Sequence, residues 1–315
     1  MKAVAFKAYG APDALEPIEI PRPVPAADEV LVEIRASGIN PFDAKIRRGY
    51  LTWFYQVEFP YVPGADFAGV VVGRGADVSA LAIGDKVWGM TWPPHQGAYA
   101  EYIAVKADGI RRMPSNLSFE QAAVMPMACM TAFYALHDMV TLTPGQRVLI
   151  HAGAGGVGSY AIQLAKKAGC WVATTCSTAN VDYCRALGAD LVVDYQTQDF
   201  SALVKDCDIA IDQVGGETSL KTYESMKRGG TILLVERGHK VEMEHRAANV
   251  AKYGVELREV AFENVPDALD RMRDAVEAGW LKSTLERVIG MEEIAAVHAQ
   301  LDSRHIRGKV AMVIR

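Results

Sequence analysis

Three glycines in the middle of the chain have a spacing that suits a nucleotide-binding turn. Gly153, Gly155 and Gly158 give the pattern G-x-G-x-x-G, between a predicted strand at 148–151 and a predicted helix that Gly169 ends. Such a turn exposes backbone N–H groups at a helix N-terminus, where a pyrophosphate is stabilised, and a Cβ there would block its approach. The pattern therefore predicts a dinucleotide site, with a plain strand-to-helix turn as the alternative.

The segments that follow this turn alternate between strand and helix patterns. Beyond Gly145, short apolar runs of strand length are separated by helical patterns, of which one covers 180–187. Alternation of this kind is typical of a parallel, doubly wound sheet, so we predict an α/β fold for this region. The predicted strands after the turn are 171–176, 191–194, 209–212 and 231–235.

The first third of the chain has a different pattern, in which Gly and Pro divide short β-like runs. The runs at 29–36, 70–73 and 84–89 predict short antiparallel strands and loops. Ser118 is a predicted N-cap, and a helix through 130–139 is predicted beyond it. A chain of 315 residues suggests two domains. A helix at 266–278 and a last strand at 309–314 follow the α/β region.

The composition argues against several classes of protein. The formal net charge is −5 and no long run of like charge occurs, which argues against nucleic acid and anionic membrane surfaces as partners. No segment approaches about 18 uninterrupted apolar residues, and we recognise no secretion signal. The five cysteines are odd in number and include no C-x-x-C pair, so we expect reduced thiols in a cytoplasmic protein.

Several short motifs occur in a fixed order along nearly the whole chain. Besides the glycine turn they are ASGINPFDAK at 36–45, PGADFAGVV at 63–71, GDKVWG at 84–89, GAYAEY at 97–102, DQVGG at 212–216 and RGKV at 307–310. In this order they resemble the medium-chain dehydrogenase/reductases, most closely the zinc-independent quinone oxidoreductases and related alkene reductases.

The resemblance implies a division of the chain and an assembly. A β-rich, GroES-like catalytic domain of residues 1–120 is completed by residues 262–315, and is therefore discontinuous. A Rossmann-type dinucleotide-binding domain takes residues 121–261. Relatives pair through the edge of the sheet in the nucleotide domain, so the resemblance also implies a homodimer.

The residues at the metal positions of this family predict that zinc is absent. Zinc-dependent relatives place a Cys where this chain has Asn40, and a His-Glu pair where it has Ala65 and Asp66. They also carry a four-Cys lobe, whereas the segment 91–97 contains no Cys. Zinc needs thiolate, imidazole or carboxylate ligands that converge, and His95 in that segment has no partner pattern.

The residues after the second strand of the α/β region favour NADPH over NADH. NAD-preferring sites hold an acid about 20 residues beyond the glycines, where it bonds the ribose 2′-hydroxyl. The segment 174–180 has no acid, and the hydroxyls of Ser177 and Thr178 suit a 2′-phosphate. Relatives often supply a Lys or Arg just after these hydroxyls, which this chain lacks. The resemblance implies a cofactor site made of Asn40, Thr131, Gly153, Gly155, Gly156, Val157, Gly158, Ser177, Thr178, Tyr195, Val214, Val235 and Lys309.

Without a metal to polarise a carbonyl, the expected chemistry is hydride transfer to an acceptor that needs no such help. Quinones and alkenes conjugated to a carbonyl meet this condition. The resemblance places Asn40 and Thr131 near the nicotinamide, although Asn40 also suits a turn before Pro41, and Thr131 a helix bond to its own backbone.

The proton donor and the cleft walls are less directly indicated. Tyr50 is a candidate donor, with solvent as the alternative because a phenol has an ordinary pKa near 10. Phe42, Trp53 and Trp92 are candidate walls of the substrate cleft, and packing of a loop against the core is the other explanation for these aromatic residues.

Three hypotheses follow for the activity. The first is an NADPH-dependent reductase of quinones or of α,β-unsaturated carbonyl compounds. The second is an enoyl-thioester reductase, for which the basic cluster at 45–48 is the candidate phosphate site. The third is an NADPH-binding structural or regulatory protein with little turnover.

Overall fold

The computed structural model describes residues 1–236, 240–261, 266–303 and 306–314. The chain forms two compact units: residues 1–130 with 264–315 make the first, and residues 131–263 the second. In the described ranges, no helix is long and apolar enough to cross a bilayer.

The described strands form two large sheets and one small antiparallel pair. The strands are β1 (Lys2–Ala5), β2 (Glu16–Glu19), β3 (Glu29–Gly38), β4 (Asp66–Arg74), β5 (Lys86–Met90), β6 (Tyr102–Lys106), β7 (Ile110–Arg112), β8 (Arg147–Ile150), β9 (Trp171–Cys176), β10 (Leu191–Asp194), β11 (Cys207–Asp212), β12 (Met226–Leu234), β13 (Glu256–Glu259), β14 (Leu285–Ile289) and β15 (Lys309–Met312).

Helices connect most of the strands of the second unit and cover parts of the first. They are α1 (Pro41–Arg47), α2 (Phe119–Ala123), α3 (Pro126–Phe133), α4 (Gly156–Lys167), α5 (Val181–Ala186), α6 (Phe200–Leu203), α7 (Glu217–Thr222), α8 (Lys240–Tyr253), α9 (Pro266–Glu277) and α10 (Ile294–Asp302). A π-helical turn at Tyr134–Asp138 continues α3.

The second unit contains a six-stranded parallel sheet, which confirms the predicted doubly wound fold. Its strand order is β10-β9-β8-β11-β12-β13, and every neighbouring pair is parallel. The chain therefore leaves β8 in one direction across the sheet and returns to its other side at β11. In sheets of this type, ligands bind at the carboxyl ends of the strands where the order reverses, and the glycine turn follows β8 at that point.

The first unit contains a mostly antiparallel sheet, in which β14 alone of the described strands pairs in parallel, with β15. Its order is β14-β15-β3-β4-β5-β7, with β6 also paired to β3. Strand β15 runs antiparallel to β3, with Ala311 opposite Gly38 and Met312 opposite Ser37. The predicted β-rich domain with a contribution from the C-terminal segment is thereby confirmed as a fold.

Close packing explains why one glycine of this sheet is needed. A Cβ at Gly38 would overlap the carbonyl oxygen of Ala123 in α2, so the end of β3 lies directly against that helix. Helix α2 begins as predicted at Ser118, whose hydroxyl accepts a hydrogen bond of 3.2 Å from the backbone N–H of Gln121. These contacts fix the residues that follow β3, which include Asn40.

Candidate functional site

The glycine turn leaves the N-terminus of α4 without a side-chain cap. Gly155 is the N-cap residue in an extended conformation, and Gly156, Val157 and Gly158 form the first turn of the helix. A Cβ at Gly155 would meet a single atom within 4 Å, the carbonyl oxygen of Ala152 at 3.3 Å. That one contact is tight, but no other atom lies within 4 Å, which leaves room for a pyrophosphate beside the helix N-terminus.

The other two glycines of the motif are needed for packing. A Cβ at Gly153 would overlap the hydroxyl oxygen of Thr174 in β9, and a Cβ at Gly158 would overlap the carbonyl oxygen of Ala152. Ala152 itself has a positive φ of 49°. The turn is thus pressed against β9, and Gly155 is the least crowded of the three glycines.

A buried histidine stands at the start of the turn and is held by hydrogen bonds. His151 lies between the hydroxyl oxygens of Thr175 and Thr222, at 3.1 and 2.9 Å from its two ring nitrogens. Burial lowers the pKa of His151, so the ring is neutral. The side-chain amide of Gln213 donates to the carbonyl oxygen of His151 at 2.6 Å, which fixes the first residue after β8.

Asp212 organises the next two loops at the carboxyl edge of the sheet. Its carboxylate accepts hydrogen bonds from the backbone N–H groups of Val214 and Gly215 at 2.9 and 3.0 Å, and from the hydroxyl of Ser219. The N–H of Val235, after β12, donates to the backbone carbonyl of Asp212 at 2.8 Å. The structure thus brings Val214 and Val235 to the same edge.

The residues expected near the adenosine ribose lie after β9 and β10. Ser177 and Thr178 follow β9, and the N–H of Tyr195, after β10, donates to the carbonyl oxygen of Cys176 at 3.1 Å. The Tyr195 side chain is 54% exposed, which leaves its ring accessible. Arg185 pairs with Asp182 at 3.1 Å.

An acid that the sequence pattern does not indicate lies at this place. The hydroxyl of Thr178 donates a hydrogen bond of 2.6 Å to the carboxylate of Asp194, the last residue of β10. The usual acid follows the glycines by about 20 residues along the chain, whereas Asp194 reaches this place from the neighbouring strand. The parallel register of β9 and β10, which pairs Cys176 with Asp194, is the signal that would have located it.

The first unit contains a buried polar cluster around Asn40. The side-chain amide nitrogen of Asn40 donates to the carboxylate of Asp66 at 3.0 Å. The ammonium of Lys309 donates to the backbone carbonyl of Ile39 at 2.6 Å and to the side-chain oxygen of Asn40. Since an ammonium only donates, this contact fixes the orientation of the Asn40 amide.

Burial shifts the ionisation of this cluster. It raises the pKa of Asp66 to about 7, against the opposing effects of the Lys309 charge and the Asn40 hydrogen bond. It also lowers the pKa of Lys309, although the two nearby carboxylates oppose that shift. The cluster thus holds titratable groups whose charges depend on one another.

A second carboxylate, Asp43, lies in the same buried cluster. Asp43 accepts hydrogen bonds from the backbone N–H groups of Asn40 and Ala65 at 2.8 and 3.0 Å, and from the Tyr99 hydroxyl at 3.0 Å. Burial raises its pKa to about 6, and the hydrogen bond from Asn40 is the largest effect in the other direction. The Tyr99 hydroxyl also lies 3.2 Å from His298.

The basic cluster considered for a carrier phosphate is engaged within the unit. Arg47 is fully buried and pairs with Asp302 at 2.9 Å. Arg48 pairs with the same carboxylate at 2.6 Å. Both guanidinium groups therefore bond one internal acid, which balances only one of the two positive charges, and Arg47 is too buried to reach a bound phosphate.

The aromatic residues proposed for the cleft fall into two groups. Phe42 and Trp92 pack edge to face with ring centroids 5.2 Å apart, and Phe42 lines a small recess together with Asp43 and Tyr61. Tyr50 and Trp53 are 61% and 75% exposed and do not line that recess. Of the other predicted residues, Thr131 is buried in α3.

Two family models match parts of the chain. Residues 26–115 match the family model for the alcohol dehydrogenase GroES-like domain, and residues 187–312 match the model for zinc-binding dehydrogenase. A quinone oxidoreductase from Coxiella burnetii has a similar structure, with a TM-score of 0.91 and 33% identity over 100% of this chain and 99% of that one.

Two curated plant proteins are similar over part of their length. A chloroplastic quinone-oxidoreductase homolog from Spinacia oleracea is 39% identical over 64% of this chain and 64% of its own. The 2-methylene-furan-3-one reductase of Solanum lycopersicum is 39% identical over 75% of this chain and 62% of its own. The matched region thus spans less than two thirds of either relative.

The buried carboxyl of Asp66 leads to a prediction about pH. Its pKa is raised from the ordinary 3.8 to about 7, so between these values the folded chain holds a proton that the unfolded chain has released. Its contribution to stability therefore falls as the pH rises, by at most about 1.4 kcal/mol per pH unit. We expect the Asp66→Asn variant to gain stability relative to the wild type from pH 4 to 7, measured by urea unfolding.

The matched control for this prediction is Asp85→Asn in the same unit. Hydrogen bonds from the Ala82 backbone and Arg112 lower the pKa of Asp85, so its contribution is complete above the ordinary value and is lost only below it. Its unfolding free energy should run parallel to that of the wild type over the same window. A parallel line for Asp66→Asn as well would contradict the prediction.

Proposed function

Because the chain belongs to the medium-chain dehydrogenase/reductase family, we propose that it is a reductase that transfers hydride from NADPH to a quinone or an α,β-unsaturated carbonyl compound, without zinc. The second unit would act as the dinucleotide-binding domain and the first unit as the substrate domain. Similarity to a quinone oxidoreductase and to a reductase of a conjugated ketone supports both acceptor classes.

The buried Lys309–Asn40–Asp66 network is the observation that carries the zinc-independent form of this proposal. A catalytic zinc needs thiolate, imidazole or carboxylate ligands with a free coordination position. Here the Asn40 oxygen and the Asp66 carboxylate are engaged by an ammonium and an amide. A second cation would face the Lys309 charge, so these residues do not fit a zinc ion. Among the described residues, no group of three or more His, Cys, Asp or Glu side chains suits a metal.

The glycine turn supports the proposed cofactor. The uncapped N–H groups of the first turn of α4, at Gly156, Val157 and Gly158, would hold the pyrophosphate next to Gly155. Ser177, Thr178 and Tyr195 would hold the adenosine end. When bound, the nicotinamide supplies the hydride, and the chain supplies orientation and exclusion of water.

Within the first unit, we propose that Lys309 acts on the cofactor through Asn40. The ammonium makes its hydrogen bonds to Ile39 and Asn40, so its effect is to fix the amide that we place near the nicotinamide. Thr131 is the second proposed contact of the nicotinamide. We propose that Val214 and Val235 line the cofactor site from the carboxyl edge of the parallel sheet, where Asp212 holds both loops.

The first expected outcome concerns the acceptor. Purified protein should oxidise NADPH in the presence of simple quinones or 2-alkenals, because these accept hydride without a Lewis acid, and should not oxidise it with unactivated aldehydes. The assay follows the loss of NADPH absorbance, with an enoyl thioester as a further acceptor. Turnover confined to the thioester would support the second hypothesis, and NADPH binding without any turnover would support the third.

The second expected outcome concerns Gly155. We expect Gly155→Ala to weaken NADPH binding about tenfold in a fluorescence titration, because its methyl group enters the space proposed for the pyrophosphate. Its thermal unfolding midpoint should fall by less than that of Gly153→Ala, since its Cβ meets one backbone atom, at 3.3 Å. Gly153→Ala is the contrast, because its Cβ overlaps Thr174 and should lower the midpoint. Unchanged affinity in Gly155→Ala would remove the turn from the site.

The third expected outcome concerns the proton. We propose Tyr50 as the donor to the reduced acceptor, and its hydroxyl already lies 3.5 Å from the Arg48 guanidinium. Tyr50→Phe should lower kcat at least about tenfold, with a smaller change in KM. Tyr9→Phe removes another tyrosine hydroxyl of the same unit and should leave kcat unchanged. Equal turnover in both variants would assign the proton to solvent.

A further inference from the structure

Two neighbouring hydroxyls at the proposed ribose end are set to opposite hydrogen-bonding roles. Each hydroxyl has a single proton, so a hydroxyl that donates to the protein can only accept from a ligand. Ser177 and Thr178 stand next to each other after β9, about 20 residues beyond the glycine turn. At this distance, dinucleotide-binding folds discriminate the ribose 2′-substituent.

The Thr178 hydroxyl donates its proton to a hydrogen bond within the protein. Its hydroxyl lies 2.6 Å from the Asp194 carboxylate and 2.9 Å from the side-chain oxygen of Gln196, which is a second acceptor. The hydrogen bonds from Thr178 and from the backbone of Gln196 keep the pKa of Asp194 below its ordinary value, so it is ionised at neutral pH. The Thr178 oxygen is thereby left as an acceptor.

The Ser177 hydroxyl has the opposite role, because it accepts a hydrogen bond within the protein. Its oxygen accepts a hydrogen bond of 3.0 Å from the side-chain amide of Asn180. In the described part of the chain, no acceptor takes the Ser177 proton. This hydroxyl can therefore donate to a ligand.

The charges around the pair differ from those of a site dedicated to a phosphate. Arg185 pairs with Asp182 at 3.1 Å, and within the described ranges no cation forms an ion pair with Asp194. The negative charge of the Asp194 carboxylate, which accepts a hydrogen bond from Thr178, therefore repels a dianionic 2′-phosphate at this place. It has little effect on a neutral 2′-hydroxyl.

We propose that Asp194 is the residue that limits the selectivity for NADPH, so that NADH is accepted at the same site. A 2′-phosphate only accepts hydrogen bonds and finds its partner in Ser177. A 2′-hydroxyl donates and finds its partner in Thr178, whose proton Asp194 withdraws. The inference rests on the proposed function, because it requires that this edge of the second unit holds the adenosine ribose.

The test compares the affinities of NADPH and NADH by calorimetry, without any acceptor present. Asp194→Asn keeps the shape of the side chain and removes its charge, so the affinity for NADPH relative to NADH should rise about tenfold. Thr178→Val should weaken NADH more than NADPH, because the acceptor for the 2′-hydroxyl is lost. Ser177→Ala should do the reverse.

The matched control is Glu224→Gln, which removes one exposed negative charge from the same unit. Glu224 precedes β12 and so lies at the amino edge of the parallel sheet, opposite the proposed site. Its affinity ratio should equal that of the wild type. If Asp194→Asn behaves like this control while both cofactors still bind, the inference about Asp194 is wrong and the proposed function stands.

Two further results separate the remaining cases. If neither NADPH nor NADH binds the wild type, the proposed function itself fails. If Asp194→Asn lowers the thermal midpoint, the Thr178→Val and Ser177→Ala pair decides the matter, because the two must shift the ratio in opposite directions. A shift in the same direction for both would overturn the assigned roles of the hydroxyls.

Discussion

The buried ammonium of Lys309 is the contact on which the arrangement of the first unit depends. It lies on β15, at the far end of the chain, and bonds the residues that join β3 to α1. Through Asn40 it is linked to Asp66 at the start of β4. Taking such charges out of water costs several kcal/mol, and the cost is offset only when each polar atom has a partner. The network therefore tolerates little displacement of any of these strands.

This constraint also bears on chemistry. The positive charge beside Asn40 and Asp66 is the fixed side chain of Lys309. A lysine cannot open a coordination position, so it contributes charge and orientation only. The Asn40 amide, whose direction follows from the ammonium, is the polar group that this arrangement sets most firmly.

Sequence patterns predicted the parts of the fold where periodicity or glycine chemistry is strong. The strand and helix alternation located β8 to β12, and Ser118 marked the start of α2. Strands such as β13, with the sequence ELRE, were missed because they carry no apolar alternation and lie at the edge of a sheet. The predicted last strand was two residues too long, since pairing of β15 ends at Met312.

The site was predictable where residues are close in sequence and not where they meet across strands. The glycine turn is local, so its spacing alone indicated its place. Asp43, Asp66 and Lys309 were not seen to converge, because only the pairing of β15, β3 and β4 brings them together. The sequence does not place Asp194 beside Thr178 for the same reason. Charge partners that depend on strand register leave no local signature.

The pairing of β15 with β3 has a consequence for synthesis on the ribosome. Strand β3 is translated long before its antiparallel neighbour β15. The parallel sheet of residues 131–263 is contiguous in sequence and can form while the chain is still growing. Domains usually fold as units during translation, and non-local pairings close last because loop closure costs entropy. The first unit therefore keeps an unpaired strand edge until β15 has been translated, and we expect chaperone binding to concentrate there.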